Sequence, residues 1–318
     1  MASRIKLFYS ADIHGSERCF RKWLNAVKVV KPDALVFGGD LTGKILQPIV
    51  HAGGTWSTDL YGKAETATTE TELAELRARI RNAGRYDIVV TPDEKAALDA
   101  SPQKQHEAFL AAARRTATDW LNLADERLRA TKTPAFMMLG NDDYSELESV
   151  FGQSEMVVDA DGHAVELPGG FQLVSLGYSN RTPWDSPREL DEPDLATRID
   201  AMADTVRDPT TTIFNIHVPP IGTHIDVAAE LDDTLTPVVR GGYIQTKNVG
   251  STAVRDAITR YQPVLSLHGH IHESPGMAKV GRTICINPGS EYVDGILRAA
   301  VVTVDPKRGV QSWQLVQG

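Results

Sequence analysis

Five short polar segments hold the residues of this chain that can carry chemistry. Each follows a short apolar run, and in chain order they are Asp12-Ile13-His14, Gly39-Asp40, Gly140-Asn141-Asp142-Asp143, His217 and Gly269-His270-Ile271-His272. Their side chains offer carboxylate, imidazole and amide donors without any thiolate. Such a donor set suits Mn²⁺, Fe, Zn²⁺, Co²⁺ or Ni²⁺. The five segments therefore indicate a site for divalent transition-metal ions.

Residue spacing within the first and last segments places pairs of donors on one side of the backbone. Residues i and i+2 of an extended chain point the same way, so Asp12 and His14 can face one ion together. His270 and His272 share that spacing, although in an extended turn they can also serve two neighbouring ions. A single pair of this kind arises readily by chance. Five segments in order, all at the ends of apolar runs, favour one shared site.

The apolar runs before these segments are predicted to be β-strands. The first two are Ile5–Ser10 and Ala34–Phe37, and apolar residues from Phe20 to Val27 between them have the spacing of one helix face. Later strands are predicted at Pro134–Leu139, Phe171–Leu176, Thr212–Ile216, Val264–Leu267, Thr283–Ile286 and Arg298–Val304. Alternating strands and helices indicate an α/β fold. Because ligands of such folds bind where the strands end, the five segments are expected to converge.

The stretch from 43 to 133 interrupts this alternation. It begins with a Gly/Thr-rich segment and continues with helical patterns near Thr71–Ala83, Asp93–Ala100 and Gln103–Ala130. We predict a helical insertion or cap over 43–133, within a single domain of residues 1–318. Trp56 and Tyr61 lie near its start, where they either form a mobile lid over the site or anchor the insertion to the core.

The five segments in this order resemble the motifs of the calcineurin-like metallophosphoesterase superfamily, whose pattern is DxH, GD, GNH(D/E), H and GHxH. The stretches DIHGSE, GGDLTGK, HVPP, HGHIHES and NPGSEY are most similar to a bacterial and archaeal branch of phosphoesterases. The resemblance covers about Ile5 to Ser290 outside the insertion. It implies a four-layer α/β fold, in which two packed mixed β-sheets are flanked by helices and a two-metal site lies at the strand ends.

The resemblance also implies a role for each motif residue. The residues implied to hold one ion are Asp12, His14 and His272. Those implied to hold the other are Asn141, His217 and His270. Asp40 would bridge the two ions, for which Mn²⁺ is the favoured identity. The expected reaction is attack of a metal-bridging hydroxide on phosphorus, since two divalent ions outweigh two carboxylates and attract a phosphate anion.

One position departs from the superfamily pattern. The usual His after the Asn of the third motif, thought to donate a proton to the leaving oxygen, is replaced by Asp142. A free Asp has a pKa of about 3.9, and neighbouring cations hold it ionised. It therefore cannot serve as the acid. We predict that Asp142, a catalytic residue alongside Asp40, orients water, a metal-bound group or His217. Its charge repels a dianionic monoester and so favours a phosphodiester.

The candidate substrate contacts are Asn141, Arg181 and His224. Arg181 and Lys44 can bind a phosphate, although exposed cations are usually only solvated. His224 and Asp226 follow the HVPP stretch closely, and they lie either at the rim of the site or in a structural loop.

The composition limits the partners of the protein. Its 318 residues include 33 Lys and Arg against 42 Asp and Glu, which gives a net charge of −9. Nucleic acids and anionic membranes are captured by clustered cations, so broad binding to either is not expected. The two cysteines, Cys19 and Cys285, form no paired motif, which argues against a disulfide framework. With no secretory signal pattern and no run of roughly 18 apolar residues, a cytoplasmic protein is expected.

These features together predict a dinuclear metal-dependent hydrolase that cleaves a phosphodiester, or a phosphomonoester, of a small phosphorylated molecule. The alternatives are a nuclease of the same superfamily and a non-catalytic metal-binding scaffold. The acidic balance counts against the nuclease, and seven competent ligand residues count against the scaffold. The oligomeric state is left open by the sequence.

Overall fold

The computed structural model describes residues 3–318. Two mixed six-stranded β-sheets form its centre. The strands of the first sheet, in spatial order, are Gly309–Gln317, Arg298–Asp305, Ile5–Ser10, Ala34–Phe37, Ala135–Met137 and Val157–Asp159. The strands of the second sheet are Gly276–Val280, Thr283–Asn287, Leu265–Leu267, Thr212–Ile216, Phe171–Leu176 and Ala164–Leu167. Four adjacent strands of each sheet run parallel.

The two sheets pack face to face around a shared hydrophobic core. Leu7 and Val36 of the first sheet belong to the same buried cluster as Leu173 and Ile213 of the second. Successive residues of a strand point to opposite faces. Strands buried on both faces therefore read as continuous apolar runs, which is why the sequence located them.

Helices cover the outer face of each sheet. Glu17–Val29 and Pro102–Thr131 pack on the first sheet, whereas Glu192–Ala203 and Thr252–Tyr261 pack on the second. The order of layers is helix, sheet, sheet, helix. The predicted four-layer α/β class is therefore confirmed.

The first helix forms because its sequence supplies both a cap and an apolar face. The Ser16 side chain accepts a hydrogen bond from the Cys19 amide at the helix N-terminus, which satisfies a donor that has no partner within the helix. Phe20 and Trp23 are fully buried, and the Phe20 ring stacks on Trp120 of the long helix with centroids 4.3 Å apart. The helix and the end of the insertion are thus packed into one core.

The insertion differs from its prediction, because it contains a sheet as well as helices. Its strands, in spatial order, are Lys63–Ala67, Thr55–Leu60, Ile45–Ala52 and Arg85–Val90. Its helices are Glu70–Asn82, Pro92–Asp99 and Pro102–Thr131. The three predicted helical patterns are confirmed, and the purely helical description is wrong. The assignment of the whole chain to one domain stays a prediction.

The strands of the insertion were missed because their glycines and threonines suggested a loop. Gly53 and Gly54 both have positive φ and form the turn between two antiparallel strands. A Gly-Gly pair between extended segments is a hairpin signal. One face of the sheet packs on a small cluster that includes Ile49 and Leu60, and Tyr86 on the other face belongs to the core of the first sheet. Exposed polar residues interrupt its strands, so they lack the continuous apolar runs of the core.

The remaining elements are short and lie in connections. The two-stranded pairs are Ser179–Asn180 with Glu189–Leu190, Val227–Ala229 with Thr246–Asn248, and Val239–Arg240 with Tyr243–Ile244. The 3₁₀ helices are Ser145–Gln153, Pro168–Gly170, Pro209–Thr211 and Tyr292–Asp294. Among residues 3–318, no helix combines the length and apolar character needed to cross a membrane.

Candidate metal centre

The five polar segments lie together at one edge of the paired sheets, each after a parallel strand. Hydrogen bonds join them. The Asp12 amide donates to the Gly39 carbonyl at 3.0 Å, and the Gly269 amide donates to the His217 carbonyl at 2.9 Å. A third hydrogen bond links the loops of the two sheets. In it, the His270 amide donates to the Asp12 carboxylate at 3.0 Å. The predicted convergence of the segments is thus present in the fold.

Four of the predicted ligands have an unusual backbone conformation. Asp12, His14, Asp40 and His270 all have positive φ, from 40° to 67°. A residue other than glycine in this region costs on the order of 1–3 kcal/mol, and such strain clusters at functional sites. The core must therefore hold these side chains in place against a local backbone preference.

A first group of donors has the geometry to hold a metal ion. Asp12, His14, Asp40 and His272 each offer a ligand atom, and these atoms lie within 4.8 Å of one another. The two Nε2 atoms of His14 and His272 are 3.0 Å apart, and Nε2 of His272 is 3.5 Å from Oδ1 of Asp12. Three members are buried, whereas the His272 side chain is 33% exposed. The group is therefore open to solvent on the side of His272.

A second group adjoins the first through Asp40. Nε2 of His217 lies 3.4 Å from Oδ2 of Asp40, while Nδ1 of the same ring lies 2.7 Å from the Gly38 carbonyl. With Nδ1 facing that carbonyl, the ring turns Nε2 towards the carboxylate, and Nε2 has no hydrogen-bond partner among the described residues. Nδ1 of His270 lies 2.8 Å from the Asn141 amide oxygen. The second group thus provides two imidazoles and an amide oxygen.

The ionisation of this pocket fits a bound cation. Burial raises the pKa of Asp40 to about 7. Burial also acts on Asp12, but the neighbouring histidines, His272 foremost, outweigh it and lower the pKa of Asp12 to about 2. Burial disfavours charge on His217, yet the two carboxylates raise its pKa to about 10. The pocket balances its carboxylates with imidazole charge, and a divalent cation bound by the deprotonated donors would replace that charge.

Asp142 lies beside the first group and forms an ion pair with Lys44. Its Oδ1 accepts hydrogen bonds from the Ser186 hydroxyl and from the Asn141 amide at 3.3 Å, and its Oδ2 lies 3.9 Å from Nδ1 of His14. Burial opposes ionisation, but the charges of His14 and Lys44 and the hydrogen bonds hold the pKa of Asp142 well below its usual range. Asp142 is therefore a carboxylate whose charge is offset by Lys44.

Asp143 fixes the loop of the second motif against that of the third. Its buried carboxylate accepts from the backbone amides of Leu41 at 3.0 Å, Thr42 at 2.7 Å and Gly140 at 2.7 Å. Three amide donors satisfy a carboxylate that burial would otherwise destabilise. The last residue of the GNDD motif thus has a positioning role.

Arg188 holds the loop of the third motif, residues 140–143, through hydrogen bonds. Its amide donates to the Asn141 carbonyl at 3.0 Å, its guanidinium donates to the Gly140 carbonyl at 3.1 Å, and it forms a buried ion pair with Asp161. The Arg188 side chain is only 2% exposed. No signal in the sequence indicated this role, because it depends on contacts between residues far apart in the chain.

Two predicted substrate contacts lie away from the donor groups. Arg181 is exposed and pairs with Asp191 at 2.9 Å, and His224 is exposed with its ring beside Gly276. Within residues 3–318, no hydrogen bond or ion pair joins either side chain to the donor groups. Asp226 is buried and accepts hydrogen bonds within its own loop, which is a structural role.

Tyr292 lies in the site although no motif predicted it. Its ring centroid is 4.7 Å from that of His14 and 6.1 Å from that of His272, and burial raises its pKa. The nearby Ser290 hydroxyl donates to the Asp12 carbonyl at 2.6 Å. The available signal was the NPGSEY stretch, since it is another polar segment directly after a strand of the second sheet.

The two aromatic residues at the start of the insertion contact other insertion residues. Trp56 stacks on His51, with ring centroids 4.7 Å apart. The Arg85 guanidinium lies 4.3 Å from the centroid of the Tyr61 ring. These contacts lie within the insertion, so the mobile lid and the anchor of the insertion to the core both stay predictions.

Comparison with known proteins supports the fold. No protein-family model matches the chain. A protein of Methanocaldococcus jannaschii, described as uncharacterized, is 26% identical over 151 residues, which cover 47% of this chain and 61% of that protein. The chain thus matches about three-fifths of the length of this curated relative.

Solved structures are similar over almost the whole chain. A crystal structure of a Thermus thermophilus protein has a TM-score of 0.53 at 11% identity, and the match covers 100% of this chain and 99% of that one. Another crystal structure has a TM-score of 0.56 at 14% identity and covers 99% of both chains. The chain thus shares its overall fold with these two solved structures.

Proposed function

We propose that the protein is a dinuclear metal-dependent phosphoesterase, a hydrolase that cleaves phosphoric esters of small molecules. The observation that carries this proposal is the pair of adjoining donor groups that share Asp40. Oδ2 of Asp40 lies 3.6 Å from Nε2 of His14 and 3.4 Å from Nε2 of His217. One carboxylate therefore reaches both groups, which is the arrangement a bridging ligand requires.

The proposed ligands divide between the two groups. Those proposed for one ion are Asp12, His14 and His272, and those proposed for the other are Asn141, His217 and His270, with Asp40 common to both. When bound, the ions supply positive charge for the phosphate and activate water for attack. The donors are nitrogen and oxygen only, and we expect Mn²⁺ in preference to Fe, Zn²⁺, Co²⁺ or Ni²⁺.

Asp142 and Lys44 are proposed to determine which ester is cleaved. As an ionised carboxylate, Asp142 repels a dianionic monoester more than a monoanionic diester. It accepts hydrogen bonds and orients neighbouring groups, because an ionised carboxylate has no proton to donate. Lys44 weakens the repulsion without removing it. The preferred substrate is therefore a phosphodiester with a good leaving group.

The test is an assay of the manganese-loaded protein with bis-p-nitrophenyl phosphate and p-nitrophenyl phosphate. We expect faster hydrolysis of the diester, loss of that activity in Asp40→Ala, and unchanged activity in Asp233→Ala, whose carboxylate lies on an exposed hairpin. A faster rate on the monoester contradicts the diester preference.

The same experiment separates the alternatives. Metal-loaded protein that binds ions but hydrolyses neither ester would be a metal-binding scaffold. Protein that cleaves single-stranded DNA or RNA faster than the small diester would be a nuclease.

A further inference from the structure

A cleft of about 740 Å³ lies between the insertion and the core. Its inner end is formed by Asp142, Lys44 and Ser186. Because Oδ2 of Asp142 lies 3.9 Å from Nδ1 of His14, this end of the cleft opens directly beside the first donor group. Any group attached to a phosphate at the metal centre can therefore extend into the cleft.

The cleft is lined by aromatic side chains in addition to these polar groups. The rings of His106 and Tyr144 have centroids 5.0 Å apart, and those of Phe109 and Tyr144 are 5.6 Å apart. Trp184 also lines the cleft, and it is 65% exposed. An exposed ring of this size is costly in water and marks a binding surface when it adjoins other apolar groups.

Hydrogen bonds hold the backbone of the loop that carries Trp184. Glu189 is buried and accepts hydrogen bonds from the Thr182 amide and hydroxyl and from the Ser186 amide. The Trp184 amide donates to the Thr182 hydroxyl at 3.2 Å. The backbone that carries the ring therefore needs little ordering on binding.

The charges that line the cleft are paired. Lys95 forms an ion pair with Asp99 at 2.5 Å, and Lys44 pairs with Asp142 at the inner end. Away from that end, the described lining residues offer no cation for a second phosphate. An uncharged occupant therefore fits the outer cleft, whereas a second anionic group does not.

From this geometry we infer that the cleft binds the organic group of the phosphate ester, and that this group is flat, uncharged and aromatic. Trp184 contacts one face of the group and is a specificity-determining residue. The inference rests on the proposed function, because it requires a phosphate at the metal centre. A bulky aliphatic or a polyanionic group fits the same cleft poorly, since it can neither stack nor find a free cation.

The test compares two non-hydrolysable probes, phenylphosphonate and methylphosphonate, by calorimetric titration of the manganese-loaded protein. We expect phenylphosphonate to bind about tenfold more tightly, since one aromatic contact is worth roughly threefold to tenfold in affinity. Trp184→Ala should reduce this ratio to about threefold or less while leaving methylphosphonate binding unchanged. Trp313→Ala, which removes a ring 40% exposed on an edge strand, should leave the ratio unchanged.

The outcomes separate the inference from the proposed function. Equal binding of the two probes to the wild type, or an unchanged ratio in Trp184→Ala, overturns the aromatic cleft while the phosphate site stands. If neither phosphonate binds the loaded protein, the phosphate site and the cleft inference are both rejected. Trp184→Ala should hydrolyse a phenyl ester with a raised KM and a nearly unchanged kcat. The reason is that the Trp184 ring contacts the organic group of the substrate and not the reacting atoms.

Discussion

The metal centre and the insertion are built in opposite ways. In the centre, the candidate ligands are mostly buried, four have a strained backbone, and Asp143 and Arg188 tie the loops together by buried hydrogen bonds. In the insertion, Trp56 stacks on His51 and packs against a small separate cluster, and Tyr61 is 57% exposed beside Arg85. The difference supports the proposal that the chemistry takes place in the core and that the insertion and the adjoining cleft select the organic group.

The largest effect should follow from removing the metal. Treatment with a chelator should abolish hydrolysis, and Mn²⁺ should restore it, because the buried donors would lose the charge that attracts phosphate. Thermal stability should fall as well, since an ion at about 100 times its dissociation constant stabilises the folded state by about 2.7 kcal/mol. Full activity of metal-free protein, confirmed by elemental analysis, would contradict the proposed centre.

Loss of one proposed ligand should come next. His217→Ala should lower kcat by on the order of 10²–10³, the cost of losing one preorganised electrostatic contact. The matched control is His51→Ala, since that ring stacks on Trp56 in the insertion and should change kcat less than about twofold, as expected for a residue outside the chemistry. Similar kcat values for His217→Ala and His51→Ala would contradict the proposal that the chemistry takes place in the core and not in the insertion.

Breaking the support of the third-motif loop should affect stability. Arg188→Met leaves Asp161 buried without its partner and should lower the free energy of unfolding by about 3–5 kcal/mol. Urea unfolding measures the change. The double variant with Asp161→Leu should recover part of the loss, because no buried charge then remains unpaired. A loss below 1 kcal/mol, against the roughly 3 kcal/mol expected, would show that this contact does not hold the loop.

A smaller effect is expected from Asp142→Asn. The rate on an aryl diester should fall less than about tenfold, because the ionised residue only orients its neighbours. The ratio of monoester to diester hydrolysis should rise, since a negative charge is removed. A collapse confined to alkyl esters in a leaving-group series would instead identify Asp142 as the acid.

The smallest effect is expected in the insertion. Trp56→Ala should destabilise the protein by about 0.5–1.5 kcal/mol, the range for one aromatic pair, and should leave kcat unchanged. Thermal unfolding and the diester assay check the two parts. A large fall in kcat would restore the mobile lid as an explanation.

The sequence was informative about the centre because strand ends and polar segments coincide there. Buried strands read as apolar runs, and Asp12 or His217 directly after such a run is a local signal. The same rule does not cover Arg181 and His224, which lie in loops, and their role as substrate contacts stays a prediction. It also gave no indication of Arg188, whose partner Asp161 comes from another part of the chain.

The insertion was harder to predict for a physical reason. Its strands are half exposed and rich in threonine and glycine, so they lack the apolar pattern that marks a core strand. The Lys44–Asp142 ion pair depends on where the insertion leaves the core. Because Lys44 and Asp142 are far apart in the sequence, the segments that contain them do not indicate that the two side chains form an ion pair.

The central claim is that one carboxylate serves two metal ions, and the metal content of purified protein tests it most directly. Manganese-loaded wild type and Asp233→Ala should each hold two ions per chain by elemental analysis and native mass spectrometry. Asp40→Ala should hold at most one, although it remains folded. A wild type that binds no ion, or an Asp40→Ala variant that still binds two, would contradict the account.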